Sequence, residues 1–501
     1  MRLASASLQI PPSRVAARRA IAAAIGLYSL LPVGAAAQTT GWSQFQGGPA
    51  HRGVAADGPS PPFAEAWTLD EPLGGATGAE GLSGVVAADG VVVTVGPDTV
   101  IALDAATGVE RWTIDRAGGP AVQPATAAGP DGTILVFPEG YGPNAPTSAT
   151  PSPTASPVAD DDDDDARTVE LVAVALDGGD EVWRTELPSP SRSGVTATAD
   201  GSVVLVGGNE GSVSAVEASS GDVRWTQDVG GSVDAAIAAT DELALVSAPG
   251  EDGGPFAVVG LTLADGSEAW RYEPGAATFF GSPAAIGDAT AYVATDDATV
   301  RAIDAANGQE RWIARMNDIT AATPPIVLDD VVIAADVGGQ VYAFDPVSGA
   351  RRWDHALNVG RPNVRSAPVS VGTSVVVPTA RGELFAVEQA TGDLVWSADV
   401  ADGLVRSLAV ADGRVIAVRG GTEPGLVAFE HDPSGTLVRI ESPTIFDAGD
   451  FATALAVAAV PMVLVVTLAG KALAARLGPP TLGRPMPRDP IEDAIDEDGT
   501  T

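Results

Sequence analysis

The chain is 501 residues long, 45% hydrophobic, with 58 glycines, 39 prolines, no cysteine and a formal net charge of −37 at pH 7. The missing thiols exclude disulfides, thiolate metal sites, a cysteine nucleophile and lipidation of an N-terminal cysteine. With Lys471 as the single lysine, the chain lacks the clustered cations that nucleic acid requires, and its acidic excess reads as a solvated surface.

Residues 1–37 read as an export signal. Arg14, Arg18 and Arg19 precede an apolar run from Ala20 to Val33, and the small residues Gly34 to Ala37 suit a signal peptidase acting near Gln38. The Arg18-Arg19 pair also fits the twin-arginine route for prefolded cargo. Next comes GWSQFQGGPAHRG, from Gly41 to Gly53.

From there to residue 442 the sequence repeats. Trp67, Trp112, Trp183, Trp225, Trp270, Trp312, Trp353 and Trp396 stand at intervals of 45, 71, 42, 45, 42, 41 and 43, where 71 is one period plus an insertion. A degenerate unit follows through GLVAFEHDPSGTLVRI, with Val438 where the next tryptophan is due. Within each unit, apolar runs are bounded by tight-turn residues. Asp89-Gly90 suits a type I′ hairpin, and Asp200-Gly201, Asp329-Asp330 and Asp412-Gly413 hold the same place. Four short strands in about 42 residues make one propeller blade. The predicted fold class is therefore all-β: an eight-bladed β-propeller of four-stranded blades over 38–442, whose closed ring leaves only short sheet edges. Strands around Trp67 and at Leu437 to Ile440 are expected to share one blade and close the ring.

The units share the pattern Ala-x-Asp-x3-Gly-x3-Trp: Ala102, Asp104, Gly108, Trp112; Ala302, Asp304, Gly308, Trp312; Ala343, Asp345, Gly349, Trp353. With Glu for Asp, it recurs through Ala215, Gly221, Trp225 and Ala386, Gly392, Trp396, and shorter forms end at Trp183 and Trp270. Glycine permits a left-handed turn, the carboxylate caps turn amides, and the indole is expected to bury on the neighbouring blade with its N–H bonded. This pattern resembles the tryptophan-docking motif of the pyrroloquinoline-quinone (PQQ) repeat propellers, and the Gly41 to Gly53 leader resembles the segment that opens many of them. The resemblance covers residues 42 to 441. A motif repeated around the whole ring holds the ring together, so function belongs where the repeats differ. Those places are the leader, Tyr141 to Asp165, Phe279-Phe280 and Asn358 to Arg365.

Residues 139–166, an insertion rich in Pro, Ser and Thr that includes six aspartates, Asp160 to Asp165, are expected to be disordered. A calcium loop would need glycine turns and spaced oxygens instead. Beyond a linker at 443–450, Phe451 to Gly470 carries no charge. At 1.5 Å per residue, such a run is about 30 Å long and spans a bilayer core as one transmembrane helix. Lys471, Arg476, Arg484 and Arg488 follow it, while Asp447 and Asp450 precede it. The predicted location is the cytoplasmic (inner) membrane, single-pass, with the propeller outside and a disordered cytoplasmic tail at 471–501.

The PQQ-family resemblance implies two functional readings. As a quinoprotein dehydrogenase, the protein would hold PQQ and calcium on the axis with an aspartate as base, but it lacks the adjacent cysteines and long loops of many such enzymes. Its three histidines, His51, His355 and His431, stand far apart in sequence and form no catalytic pattern. The chain is also similar to the BamB-like propellers, non-enzymatic lipoproteins that aid outer-membrane protein assembly, although it has no cysteine to lipidate. The expected function is a non-enzymatic, membrane-anchored, extracytoplasmic binding or scaffold module with no cofactor or metal. It would take a protein or small-molecule ligand through its loops or channel; the PQQ- and calcium-dependent dehydrogenase is the alternative.

Overall fold

The computed structural model describes residues 41–55, 58–70, 84–119, 121–140, 169–250, 254–275, 278, 280–319, 323–357, 364–421 and 424–437. The export signal, Tyr141 to Asp165, Phe279, Asn358 to Asn363 and the whole of 451–501 lie outside them. Among the described residues, no helix is long and apolar enough to cross a membrane.

Eight separate sheets form the blades. In the fifth, Ala285–Gly287, Thr290–Thr295, Thr299–Asp304 and Glu310–Arg315 run antiparallel from the innermost strand to the outermost. Apolar residues on adjacent blades interlock; one cluster joins Tyr292 and Trp312 of this blade to Val332 and Phe344 of the next. Inner strands are short, down to the two residues of Thr196–Ala197 and Ile326–Val327. Short strands limit the unpaired backbone offered to the axis.

Ring closure follows the sequence expectation for the N-terminal strand and differs in the C-terminal strand it meets. The strand carrying Trp67, Phe63–Leu69, pairs with Gly425–His431, with Trp67 opposite Ala428. Leu437 is 49% exposed and in no strand, and 438–440 lie outside the described residues. Counting forward by one period put Val438 at the end of the eighth blade. The ring fills that outer position from the other end of the chain, with Trp67.

Turns divide similarly. Asp89-Gly90 and Asp412-Gly413 have positive φ at both residues, as a type I′ hairpin requires. At Asp200-Gly201 only the glycine does, and neither Asp329 nor Asp330 does. Asp288-Ala289 adopts the paired positive φ instead, at 45° and 56°, although alanine is disfavoured there. The insertion also starts later than predicted: Glu139 ends the strand Thr133–Glu139 and is buried, where it accepts the Ala117 N–H at 2.7 Å.

Seven indoles among the described residues donate to a carbonyl of the following blade. Trp67 reaches Ala105 O at 3.1 Å, Trp112 Leu176 O at 2.9 Å and Trp183 Ala218 O at 2.7 Å. Trp225 reaches Leu263 O at 2.9 Å and Trp270 Ala305 O at 3.0 Å. Trp312 and Trp353 reach Pro346 O and Gln389 O, both at 2.9 Å. Each ring also covers a glycine: a Cβ on Gly108, Gly308 or Gly349 would stand 2.6–2.7 Å from the indole of the preceding blade. Trp396 departs from the pattern, packing edge-on against Phe63 and Phe429 of the closing blade at 4.9 and 5.8 Å.

A matched pair of substitutions separates backbone preference from docking. Gly349 and Gly413 both have φ of +69°, but an added Cβ meets the Trp312 ring only at Gly349 and open space at Gly413. Gly413→Ala is expected to cost about 1–2 kcal/mol. Gly349→Ala is expected to cost about 1–3 kcal/mol more, because the indole must leave its place. Urea midpoints of the two variants measure the difference; equal losses would remove the indole–glycine contact from the account.

Candidate functional site

The predicted docking residues do not converge on one place; they recur blade by blade. Asp104, Asp304 and Asp345 cap turn amides, Asp345 accepting the Ser348 N–H at 2.9 Å and Asp104 that of Thr107 at 3.0 Å. Each also pairs with the arginine seven residues on: Arg111 at 2.7 Å, and Arg311 and Arg352 at 2.8 Å. Arg111, with the Thr107 hydrogen bonds, holds the Asp104 carboxyl down at about 2. These arginines were legible as the residue before each tryptophan, but reading the motif for its apolar spacing passed over them. With exposed arginines and partly exposed aspartates, such pairs contribute little stability.

The axis is the place where the repeat gives way. The leader crosses it and bonds the inner strands in turn. Carbonyls of Trp42, Ser43, Pro49, Ala50, Arg52 and Gly53 accept N–H groups from Ala87, Thr126, Ala239, Ile286, Val327 and Ser370 at 2.7–2.9 Å. The remaining blade among these seven is met by the Gln44 side chain, which donates to Ala197 O at 3.0 Å and accepts Ala197 N–H at 2.6 Å. Val54–Ala55 then lies parallel on Val369–Val371. The leader's acceptors thus satisfy donors that the short inner strands turn toward the axis. Its side chains follow it inside: Trp42 is 2% exposed, Gln44 1% and His51 0%.

Burial pushes the His51 imidazole down to about 3, so it is neutral, with Nε2 3.5 Å from Thr196 Oγ1 and the Phe45 ring edge-on at 5.3 Å. His355 lies buried in the outer strand Arg351–Ala356, and burial lowers its pKa as well. His431 ends the closing strand, its Nδ1 2.7 Å from Ser60 O. The three histidines therefore sit in three different places, and the leader, expected as a site of function, is committed to plugging the axis.

The plug bonds near the turns that end the inner strands. Toward the opposite end of those strands lies a recess of about 450 Å³, with Phe45 of the leader, Gln123, Asp234, Ser247, Phe256 and Phe280 among its walls. Of the four places where the repeats differ, two reach this recess among the described residues: the leader through Phe45, and Phe279-Phe280 through Phe280. Sequence reasoning found Phe280 but missed Asp234 and Ser247, which look like ordinary loop and strand residues. Among the described residues, Asp234 is the one ionisable side chain of the lining. Nor does any group of three or more His, Cys, Asp or Glu among them have the geometry to hold a metal ion. A tricarboxylate quinone with calcium needs cations and clustered oxygens, and the described lining, with one carboxylate and no cation, does not fit that pair.

Fold and axis together define an eight-bladed propeller of the tryptophan-docking class, plugged at one end and recessed at the other. Residues 167–278, 257–401 and 338–437 match the family described as outer membrane protein assembly factor BamB, and this span is more than half of the chain. The chain belongs to that family. It is 28% identical over 217 residues to the outer membrane protein assembly factor BamB of Burkholderia pseudomallei (strain K96243), covering 41% of this chain and 55% of that protein. The chain thus spans about half the length of the curated relative it matches. The crystal structure of BamB from Moraxella catarrhalis superposes with a TM-score of 0.54 at 17% identity, over 74% of this chain and 99% of that one. The quinohemoprotein alcohol dehydrogenase of Comamonas testosteroni gives 0.58 at 15% identity, over 83% and 84%. At these identities both structures speak for the fold alone.

Proposed function

We propose that the protein is a non-enzymatic binding or scaffold module, carried outside the cytoplasmic membrane by a helix at 451–470, that takes its partner at the open end of the propeller axis. The observation that carries this reading is the asymmetry of the axis: the leader's hydrogen bonds stop one end, and the recess beside Phe45 and Phe280 opens the other. Family membership supports a protein partner, since the family's description names assembly of outer-membrane proteins. The uncharged segment and the missing lipidation cysteine support a membrane helix as the tether.

A chain ending at Ser442 is expected to leave the membrane fraction as a folded disc that still recovers whatever crosslinks to the full-length protein in cells. A truncated product that stays on membranes, or folds but recovers nothing, counts against the proposal. PQQ and calcium added to the purified protein are expected to leave its visible spectrum unchanged. Quinone absorbance coupled to dye reduction by an alcohol would establish the dehydrogenase instead.

A further inference from the structure

The recess contains a side chain whose chemistry is incomplete. Ser247 lies in the strand Leu243–Gly250, paired in register with Val258, and is 4% exposed. Its backbone belongs to the ladder, yet its hydroxyl has no hydrogen-bond partner among the described residues. A buried hydroxyl left unpaired costs roughly 1–3 kcal/mol, so such a group on a cavity wall marks where a ligand atom belongs. Phe256 and Phe280 make the same wall aromatic, with Phe280 44% exposed. Asp234, exposed and accepting the Ser232 hydroxyl at 2.9 Å, supplies the charge.

Together these features select a ligand. An apolar body is needed to cover the aromatic lining, and about 450 Å³ suits a small molecule. An anion would meet Asp234 with no cation in the described lining, inside a chain of net charge −37. A cation meets a carboxylate there and is concentrated by the field of the whole protein. We propose that the recess binds a small, predominantly apolar amine, its cation at Asp234 and a hydrogen-bonding group at the Ser247 hydroxyl. This rests on the binding-module reading and names the ligand chemistry of its open end.

Three probes with one indole body and different charge test it by ligand-detected NMR on the full-length protein: tryptamine, 3-methylindole and indole-3-acetate. Tryptamine is expected to bind saturably, 3-methylindole about three- to fivefold more weakly, and indole-3-acetate more weakly still. Asp234→Asn is expected to bring tryptamine to the level of 3-methylindole, and Ser247→Ala to weaken all three about fivefold. Ala235→Trp, which fills the recess, should reduce tryptamine binding at least tenfold. If that variant fails to fold, the exposed Asp234→Asn carries the test alone. No saturable tryptamine binding, equal affinity for indole-3-acetate, or no effect of Asp234→Asn overturns the proposal. Absent tryptamine binding while the Ser442-terminated disc still recovers its crosslinked partner would sink this ligand and leave the binding module standing. If the disc recovers nothing and tryptamine does not bind, both readings fall.

Discussion

Trp67→Ala is expected to lower the apparent stability of the ring by about 3–5 kcal/mol, the usual cost of removing a buried tryptophan. The indole is 8% exposed, donates to Ala105 O at 3.1 Å and covers Gly108. Trp312 has the same burial and an equivalent bond to Pro346 O at 2.9 Å, so the two residues make similar contacts. They differ in what lies behind them. Trp312 joins blades whose chain runs on continuously, whereas Trp67 sits on the strand that ties the N-terminal side of the chain to Gly425–His431 and docks that blade on the next. Trp67→Ala is therefore expected to speed limited proteolysis of the folded protein, while Trp312→Ala lowers the urea midpoint by a similar amount with less effect on cleavage. Equal protease sensitivity in the two variants would mean that closure lies elsewhere, for example in the leader.

Acid is expected to destabilise the protein through His51. Its folded pKa, about 3, lies below the unfolded value of 6.5 because the ring is fully buried. The unfolded chain therefore takes up the proton first. The stabilising contribution is complete above pH 6.5 and is lost progressively as pH falls toward 3, at about 1.4 kcal/mol per pH unit and on the order of 5 kcal/mol in all. His355, lowered by burial too, acts with the same sign. Asp104 is held at about 2 against an ordinary 3.8, so its contribution fades only below pH 4. The window between pH 6.5 and 4 thus reports the histidines. His51→Gln should flatten the dependence of the urea midpoint on pH there, whatever the variant costs at pH 7. An unchanged slope would show that His51 does not titrate with unfolding. Because His51 belongs to the plug, acid should also loosen the leader from the axis.

Much of the fold was legible because a blade is a local object. The tryptophan period, the docking glycines and the capping aspartates act within one unit or between consecutive units, and spacing alone records them. Closure was legible in its N-terminal strand but not in that strand's partner, for a related reason. A repeat period gives the size and number of units but not where the chain is cut, so Val438 and Trp67 compete for one outer position, and the pairing of Phe63–Leu69 with Gly425–His431 decides between them. The type I′ turn at Asp288-Ala289 was missed because its second residue is not the glycine that such turns favour.

The candidate site was less legible. Phe280 stood out as a break in the repeat, but Asp234 and Ser247 carry no spacing that distinguishes them. The leader was read as a place of variation and therefore of function, while its buried contacts reach far along the chain. Gln44 bonds Ala197, 153 positions away, and Gln46 donates to Pro368 O, 322 positions away.

By itself, then, the sequence determined a ring of eight docked units, since nearest-neighbour contacts repeat with a period that residues display directly. Tertiary structure alone decided which strand the Trp67 strand meets to close the ring, that the leader plugs one end of the axis, and that the other end holds a recess whose lining includes Ser247 and the Asp234 carboxylate. Those features arise where distant segments meet at the axis, and hydrogen bonds from backbone groups that every residue carries leave no mark in composition or spacing.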